Sequence, residues 1–153
     1  MGQNRLYTGI SGLDEVLEGG LVPNRAYLVR GGPGCGKTTL GMHFLAAGLE
    51  QGEAALFITL GESEKQLRQN TANLSPYLEK LTFLDLSPTS DFFTEVQSYD
   101  LFSPAEVERE PITQKIIEQV KALKPQRVFL DSMTQLRYLS TDSFQFRKQV
   151  LSF

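Results

Sequence analysis

The run Gly31-Gly-Pro-Gly-Cys-Gly-Lys-Thr38 packs glycines, one ammonium and one hydroxyl into eight consecutive positions. It fits the spacing G-x-x-x-x-G-K-[ST], and each residue type answers a chemical need. Glycines let a backbone wrap closely and turn several N–H groups inward, which suits a polyphosphate. A helix opening near Gly36 adds the positive end of its dipole. Lys37 has the reach and charge for the β- and γ-phosphates of a nucleoside triphosphate, and the Thr38 hydroxyl suits its Mg²⁺. Thr39 is placed to donate to the α-phosphate. The expected phosphate-binding set is therefore Gly32, Pro33, Gly34, Cys35, Gly36, Lys37, Thr38 and Thr39.

Such a loop needs a second group to orient the metal, at the end of another buried strand. Asp131, closing Arg127-Val-Phe-Leu-Asp131, is the candidate, against the plainer reading of an Asp that caps the next turn. Ser132 reads equally as a site contact and as a turn residue. Hydrolysis further needs a base or water-positioning group, and Glu62, just past a second strand, is the best available carboxylate. The competing reading of Glu62 is favourable placement before a helix N-terminus. Cys35 is either a thiol made reactive by the helix start or a small residue tolerated in the loop. His43 lies too far into the helix for the chemistry and reads as packed or solvated.

These residues must be held by an alternation of strands and helices. A strand at 26–30 enters the loop, and a helix from Lys37 to Gln51 leaves it, with Leu40, Phe44, Leu45 and Leu49 at helical spacing. Ahead of them Ser11–Gly20 predicts a short helix, capped by Ser11 and stopped by Gly19. Strands follow at 54–60, 81–86 and 127–131. Between them, Ser63 and Gln66 form a capping box that opens one helix. Ile112, Ile116, Ile117, Val120 and Leu123 mark another, with Pro111 in its first turn and Pro125 beyond its end. Residues 87–111 are polar and long for a connection, with a possible short helix at Ser103-Pro104, and Thr141–Phe153 has a helical pattern. The alternation predicts an α/β fold with a mainly parallel sheet, and the length allows a single domain over residues 1–153.

Composition narrows the function. The chain has 153 residues with 15 Lys+Arg against 18 Asp+Glu, a net charge of −3, which gives no electrostatic footprint for nucleic acid or anionic membrane. The nearest cationic cluster, Lys115, Lys121, Lys124 and Arg127, reads as a solvated helix face. One cysteine excludes an internal disulfide and a cysteine-rich zinc site, and fits a reducing cytoplasm. One histidine leaves no His-based triad, and no apolar run is long enough to span a bilayer.

Taken together, Thr8-Gly-Ile-Ser-Gly-Leu-Asp14, Gly19-Gly-Leu21, the loop Gly31 to Thr39, Phe57-Ile-Thr59 with Glu62, Phe83-Leu-Asp85 and Val128-Phe-Leu-Asp-Ser132 resemble the RecA-like ATPases, most closely their KaiC branch. The opening segment is more specific than the phosphate loop, which many unrelated NTPases share. The resemblance implies a three-layer P-loop NTPase fold of RecA type that binds Mg·ATP through its Walker A loop and assembles as a ring with nucleotide between neighbours. It also implies that Lys37, Thr38 and Thr39 hold phosphate and metal and that Asp131 orients magnesium. Two departures stand out. Gly61-Glu62 occupies the place where the family carries two adjacent glutamates, the first being its usual catalytic base. The family domain normally runs about 70 residues beyond the point where this chain stops, so the resemblance implies a single partial KaiC/RecA-like ATP-binding domain over residues 1–153, with a central strand beside 26–30 expected to be missing.

The resulting expectation is an ATP-binding, slowly hydrolysing ATPase with Lys37 and Glu62 as its catalytic pair. Its rivals are a non-hydrolysing nucleotide-dependent interaction or oligomerisation module and a RadA-like DNA-acting ATPase. The acidic balance disfavours the last, and nothing in the sequence supports kinase activity. Partners are ATP and further copies of the chain or partner proteins.

Overall fold

The computed structural model describes residues 4–92, 94 and 109–138. In chain order its helices are α1 (Ser11–Val16), α2 (Lys37–Glu50), α3 (Glu64–Thr71), a 3-10 turn (Pro76–Lys80), α4 (Arg109–Leu123) and α5 (Met133–Tyr138). Its strands are β1 (Ala55–Thr59), β2 (Thr82–Asp85) and β3 (Arg127–Asp131). They form a mainly parallel sheet in the order β2-β1-β3. All five residues of the central strand β1 are buried, as a parallel strand covered on both faces must be. The fold is thus α/β. The readings at Ser103-Pro104 and Thr141–Phe153 lie outside the described residues.

One expected strand does not form. Residues 25–30 are in no strand, and Tyr27, Leu28 and Val29 are 50, 73 and 41% exposed. The sequence there is apolar enough for a strand, but a strand exists only where a neighbour pairs its backbone, and none of the three described strands does so. The Tyr27 hydroxyl alone ties back, accepting from the Val22 N–H at 2.9 Å and donating to its carbonyl at 3.1 Å.

Two compact units can be distinguished. The first holds the described residues up to Leu56, with Arg68–Thr82 and Pro125–Phe129. Here α1 begins one residue earlier than a Ser11 cap would give. Ile10 takes the cap position, and Thr8 and Asp14 secure the turn: the Thr8 N–H donates to the Asp14 carboxylate at 2.8 Å, and the Ile10 N–H to the Thr8 hydroxyl at 3.2 Å. The helix also ends earlier than Gly19. Glu18 takes the left-handed conformation at φ 52°, while the N–H of Gly19 reaches the carbonyl of Asp14 at 2.8 Å. Leu6 and Leu21 then pair as an antiparallel bridge.

Helix α2 buries Met42, Leu45 and Leu49 and packs against the 3-10 turn. It approaches β3 so closely that a Cβ on Gly41 would lie 2.5 Å from the Phe129 ring. Only glycine permits that distance.

Arg127 opens β3 and is 1% exposed, which corrects its assignment to a solvated face. Its Nε donates to Glu53 Oε2 at 2.7 Å, and its Nη1 to the carbonyls of Tyr7 and Phe44 at 2.6 and 2.9 Å. Its guanidinium carbon stands 4.8 Å from the centre of the Phe44 ring. Nη2 is buried with no hydrogen-bond partner among the described residues.

The second unit holds Phe57–Leu67 and the described residues of 83–124 and from Leu130 onward. Phe57 and Phe83 stack obliquely, their ring centres 5.3 Å apart. Leu60, Leu67, Leu84, Leu86, Ile112 and Ile116 are buried around them. Ile117, expected on the buried face of α4, is 45% exposed, so the apolar stripe is narrower than the spacing suggested.

Removing one partner of a buried charge network leaves the others unsolvated, so Arg127→Ala should cost about 3–5 kcal/mol of stability. Urea titration of both forms checks this, and Arg127→Lys should recover only part of the loss.

Candidate functional site

The phosphate-loop sequence lies between the unpaired segment and α2. Gly34 and Gly36 have φ of 74° and 90°, a left-handed conformation that a side chain would strain. Gly36 is the residue from which α2 starts. Residues 31–36 are exposed, and a Cβ built on Gly32, Gly34 or Gly36 would meet no heavy atom within 4 Å. The loop backbone is therefore open to an approaching ligand. Lys37, the first residue of α2, turns back along the loop: its Nζ donates to the carbonyls of Gly31 at 2.8 Å and Gly32 at 2.7 Å. The Cys35 thiol packs on Gly31, with its Sγ 3.5 Å from the same ammonium. Thr38 is half-buried and Thr39 exposed in the first turn of α2. A helix opening leaves its first N–H groups without intrahelical acceptors and concentrates the positive end of the dipole. Open glycine backbone, helix start and ammonium together suit a polyphosphate.

The second unit carries the carboxylates. Asp131 ends β3, half-buried, and its carbonyl accepts from the Leu60 N–H at 2.9 Å. Beyond β1, Gly61 and Glu62 are exposed on a short corner that several bonds fix. Buried Thr59 donates its hydroxyl to the Glu62 carbonyl at 2.6 Å. Ser63 and Gln66 form the expected capping box: the Ser63 N–H reaches Gln66 Oε1 at 3.1 Å and the Gln66 N–H reaches the Ser63 hydroxyl at 3.3 Å.

Asp85, at the end of β2, completes the corner. One carboxylate oxygen accepts from the Glu64 N–H at 2.8 Å and the other from the Ser87 N–H at 2.9 Å. Burial by itself would raise this carboxyl, but the bonds from Ser87 and Glu64 outweigh it and hold it below the ordinary Asp range.

Two residues of this corner were given no site role by the sequence, although Asp85 stands in one of the segments that carry the resemblance. Asp85 gave a faint signal, an acid directly after an apolar strand. Gln135 gave none. It lies in the first turn of α5, where its Oε1 accepts from the Ser132 hydroxyl and its N–H donates to the Ser132 carbonyl at 3.2 Å. Ser132 thus serves the turn. The Asp131–Ser132 peptide is cis.

Among the described residues, no cluster of three or more His, Cys, Asp or Glu forms a preassembled metal site, and no helix is long and apolar enough to cross a membrane.

Comparison with known proteins gives the α/β fold its class, the RecA-like P-loop type. The family model described as the KaiC ATPase matches residues 6–153. A UPF0273 protein of Methanopyrus kandleri is 35% identical over 143 residues, covering 89% of this chain and 56% of the relative. A UPF0273 protein of Pyrococcus horikoshii is 31% identical over 137 residues, with 86% and 56% covered. The circadian clock oscillator protein KaiC of Prochlorococcus marinus is 36% identical over 137 residues, covering 85% of this chain and 26% of its own length. The chain therefore spans about half the length of the UPF0273 relatives it matches.

The Asp85 carboxylate yields a pH prediction. A group whose folded pKa is depressed stabilises the fold above its unfolded value, about 3.9, and loses that contribution as pH falls through the folded value. Asp85→Asn should cost about 1 kcal/mol at pH 7, as loss of a charged cap does. The gap between the two proteins should close as denaturant melts are repeated from pH 5 downward.

Proposed function

The chain belongs to the KaiC ATPase family, and from that premise we propose that it binds Mg·ATP and hydrolyses it slowly. The observation that supports this most strongly is the open loop of residues 31–36 with the Lys37 ammonium laid along it, 2.7–2.8 Å from two loop carbonyls. On this reading Gly32, Pro33, Gly34, Cys35 and Gly36 surround the phosphates with backbone N–H groups. Lys37 exchanges its carbonyl partners for the β- and γ-phosphate oxygens, and Thr39 donates to the α-phosphate. Thr38 and Asp131 are the residues that would hold Mg²⁺, which supplies charge neutralisation on the phosphates when bound. Glu62 accepts the proton of the attacking water, and positioning with charge neutralisation carries most of the catalysis.

Adenine over guanine follows from family membership, since no Asn-Lys-x-Asp base-reading motif stands in the sequence. We further propose that the chain acts as one partial domain in the cytoplasm and assembles with copies of itself. The acidic balance disfavours a nucleic-acid partner. A second reading, nucleotide binding with no turnover, is favoured by Gly61, which offers no carboxylate beside Glu62.

Calorimetry with Mg·ATP and Mg·GTP tests the binding. Lys37→Ala should weaken ATP binding by about tenfold or more, since charge-assisted bonds to phosphate contribute roughly 1.5–3 kcal/mol. Flat heats for the wild type across millimolar ATP would refute it. Glu62→Gln should lower kcat and keep the affinity for ATP; turnover absent from both forms with binding intact supports the second reading.

Cys35 is the only cysteine, so thiol labelling reports on the loop alone. Iodoacetamide should modify it in the free protein, and Mg·ATP should slow that reaction. Equal rates with and without nucleotide would place the ligand elsewhere.

A further inference from the structure

The segment that leads into the phosphate loop is held by none of the bonds a strand normally uses. No backbone N–H or carbonyl of Arg25-Ala-Tyr-Leu-Val-Arg30 takes part in a hydrogen bond with a described residue. Such groups must find partners, and here only solvent or an incoming chain can supply them. All six residues are exposed. Of the exposed large apolar residues among those described, only Tyr27, Leu28 and Val29 are consecutive. Tyr and Val favour strands, and the Tyr27 hydroxyl, bonded to both backbone groups of Val22, anchors the segment at one point. An unpaired run of this kind is a template on which another chain can add a strand.

The ends of the run decide which chain. Arg25 and Arg30 stand five positions apart, about 17 Å along a strand, and neither makes an ion pair with a described residue. Arg25 reaches only the neighbouring Asn24 carbonyl, at 3.3 Å. A second copy of the segment is the wrong occupant. Antiparallel pairing would set Arg25 opposite Arg30 at both ends, and parallel pairing in register would set each arginine opposite itself. Like charges directly opposed destabilise a strand pair. The same two cations favour a partner that carries carboxylates at those places. We propose that residues 25–30 are the docking edge for a strand of a partner polypeptide, apolar at its centre and bearing two carboxylates five positions apart. Its backbone pairs with the unpaired groups of 26–29, and its carboxylates meet Arg25 and Arg30. Its apolar side chains cover Tyr27 and Val29 on one face and Leu28 on the other. Nothing in this depends on nucleotide.

Fluorescence anisotropy on the whole chain tests this, with a labelled, end-capped peptide Asp-Val-Thr-Val-Val-Glu and its counterpart carrying lysine at both ends. The acidic peptide should bind the wild type about tenfold or more tightly than the lysine one, since two cross-strand charge pairs change sign between them. The double variant Arg25→Glu/Arg30→Glu should reverse that order, a result that lost folding cannot produce. Leu28→Pro removes one N–H at an exposed position and should weaken the acidic peptide about fivefold, as loss of a single backbone bond does. Hydrogen exchange gives an independent reading. Amides 26–29 should exchange as solvent-exposed groups in the chain alone, and the acidic peptide should protect alternate ones. Equal affinity for the two peptides, or no anisotropy change at millimolar protein, would overturn the proposal. So would protection of amides 26–29 in the chain alone, or their protection in a concentration-dependent dimer seen by sedimentation, which would make a second copy the occupant.

Discussion

A single guanidinium decides how the first unit is put together. Arg127 binds the turn at Glu53, the segment before α1 through Tyr7, and the middle of α2 through Phe44, all from the first residue of β3. A buried charge of this kind is costly, and its bonds to a carboxylate and to carbonyls are what make it tolerable. The consequence for the site is mechanical. Helix α2 is held at Phe44, two turns after Lys37, and pressed against β3 where Gly41 meets the Phe129 ring. The phosphate loop therefore has a fixed exit, whereas its entry at 25–30 has no ladder to hold it. Loop geometry is set from the helix side.

The carboxylate corner is built on a different principle. There the fixing bonds are short-range and polar: Thr59 to Glu62, Ser63 to Gln66, Asp85 to Glu64 and Ser87. Each satisfies a backbone group that the end of a strand or the start of a helix would leave exposed. Glu62 is thereby held at its backbone, at an exposed position.

Much of this was legible in the sequence, for identifiable reasons. The glycine-lysine-threonine loop, the helix after it, the capping box and the three described strands are all written in local spacing or in contiguous apolar runs, and local rules suffice for them. The strand expected at 26–30 was not decidable that way. Its residues favour a strand, but pairing is a property of a neighbour. Arg127 was misjudged because a cation near a lysine-bearing helix reads as solvated, while its partners lie 74, 83 and 120 positions away. Gln135 was invisible for the same reason. A polar residue in a helix turn has no signature until the glycine it covers, 74 positions earlier, is brought beside it.

Family membership and chemistry need not travel together, and Gly61 is where they part. Phosphate binding depends on backbone amides and one ammonium, all contributed by a contiguous stretch, so it survives changes elsewhere in the chain. Turnover depends on a proton acceptor and an oriented water, which come from the ends of separate strands and are sensitive to one substitution. Gly61 offers no carboxylate, and the Gln135 carboxamide from α5 lies where a side chain at residue 61 would project. Binding and hydrolysis are in this sense separable devices, and a chain can keep the first at full strength while the second is tuned down.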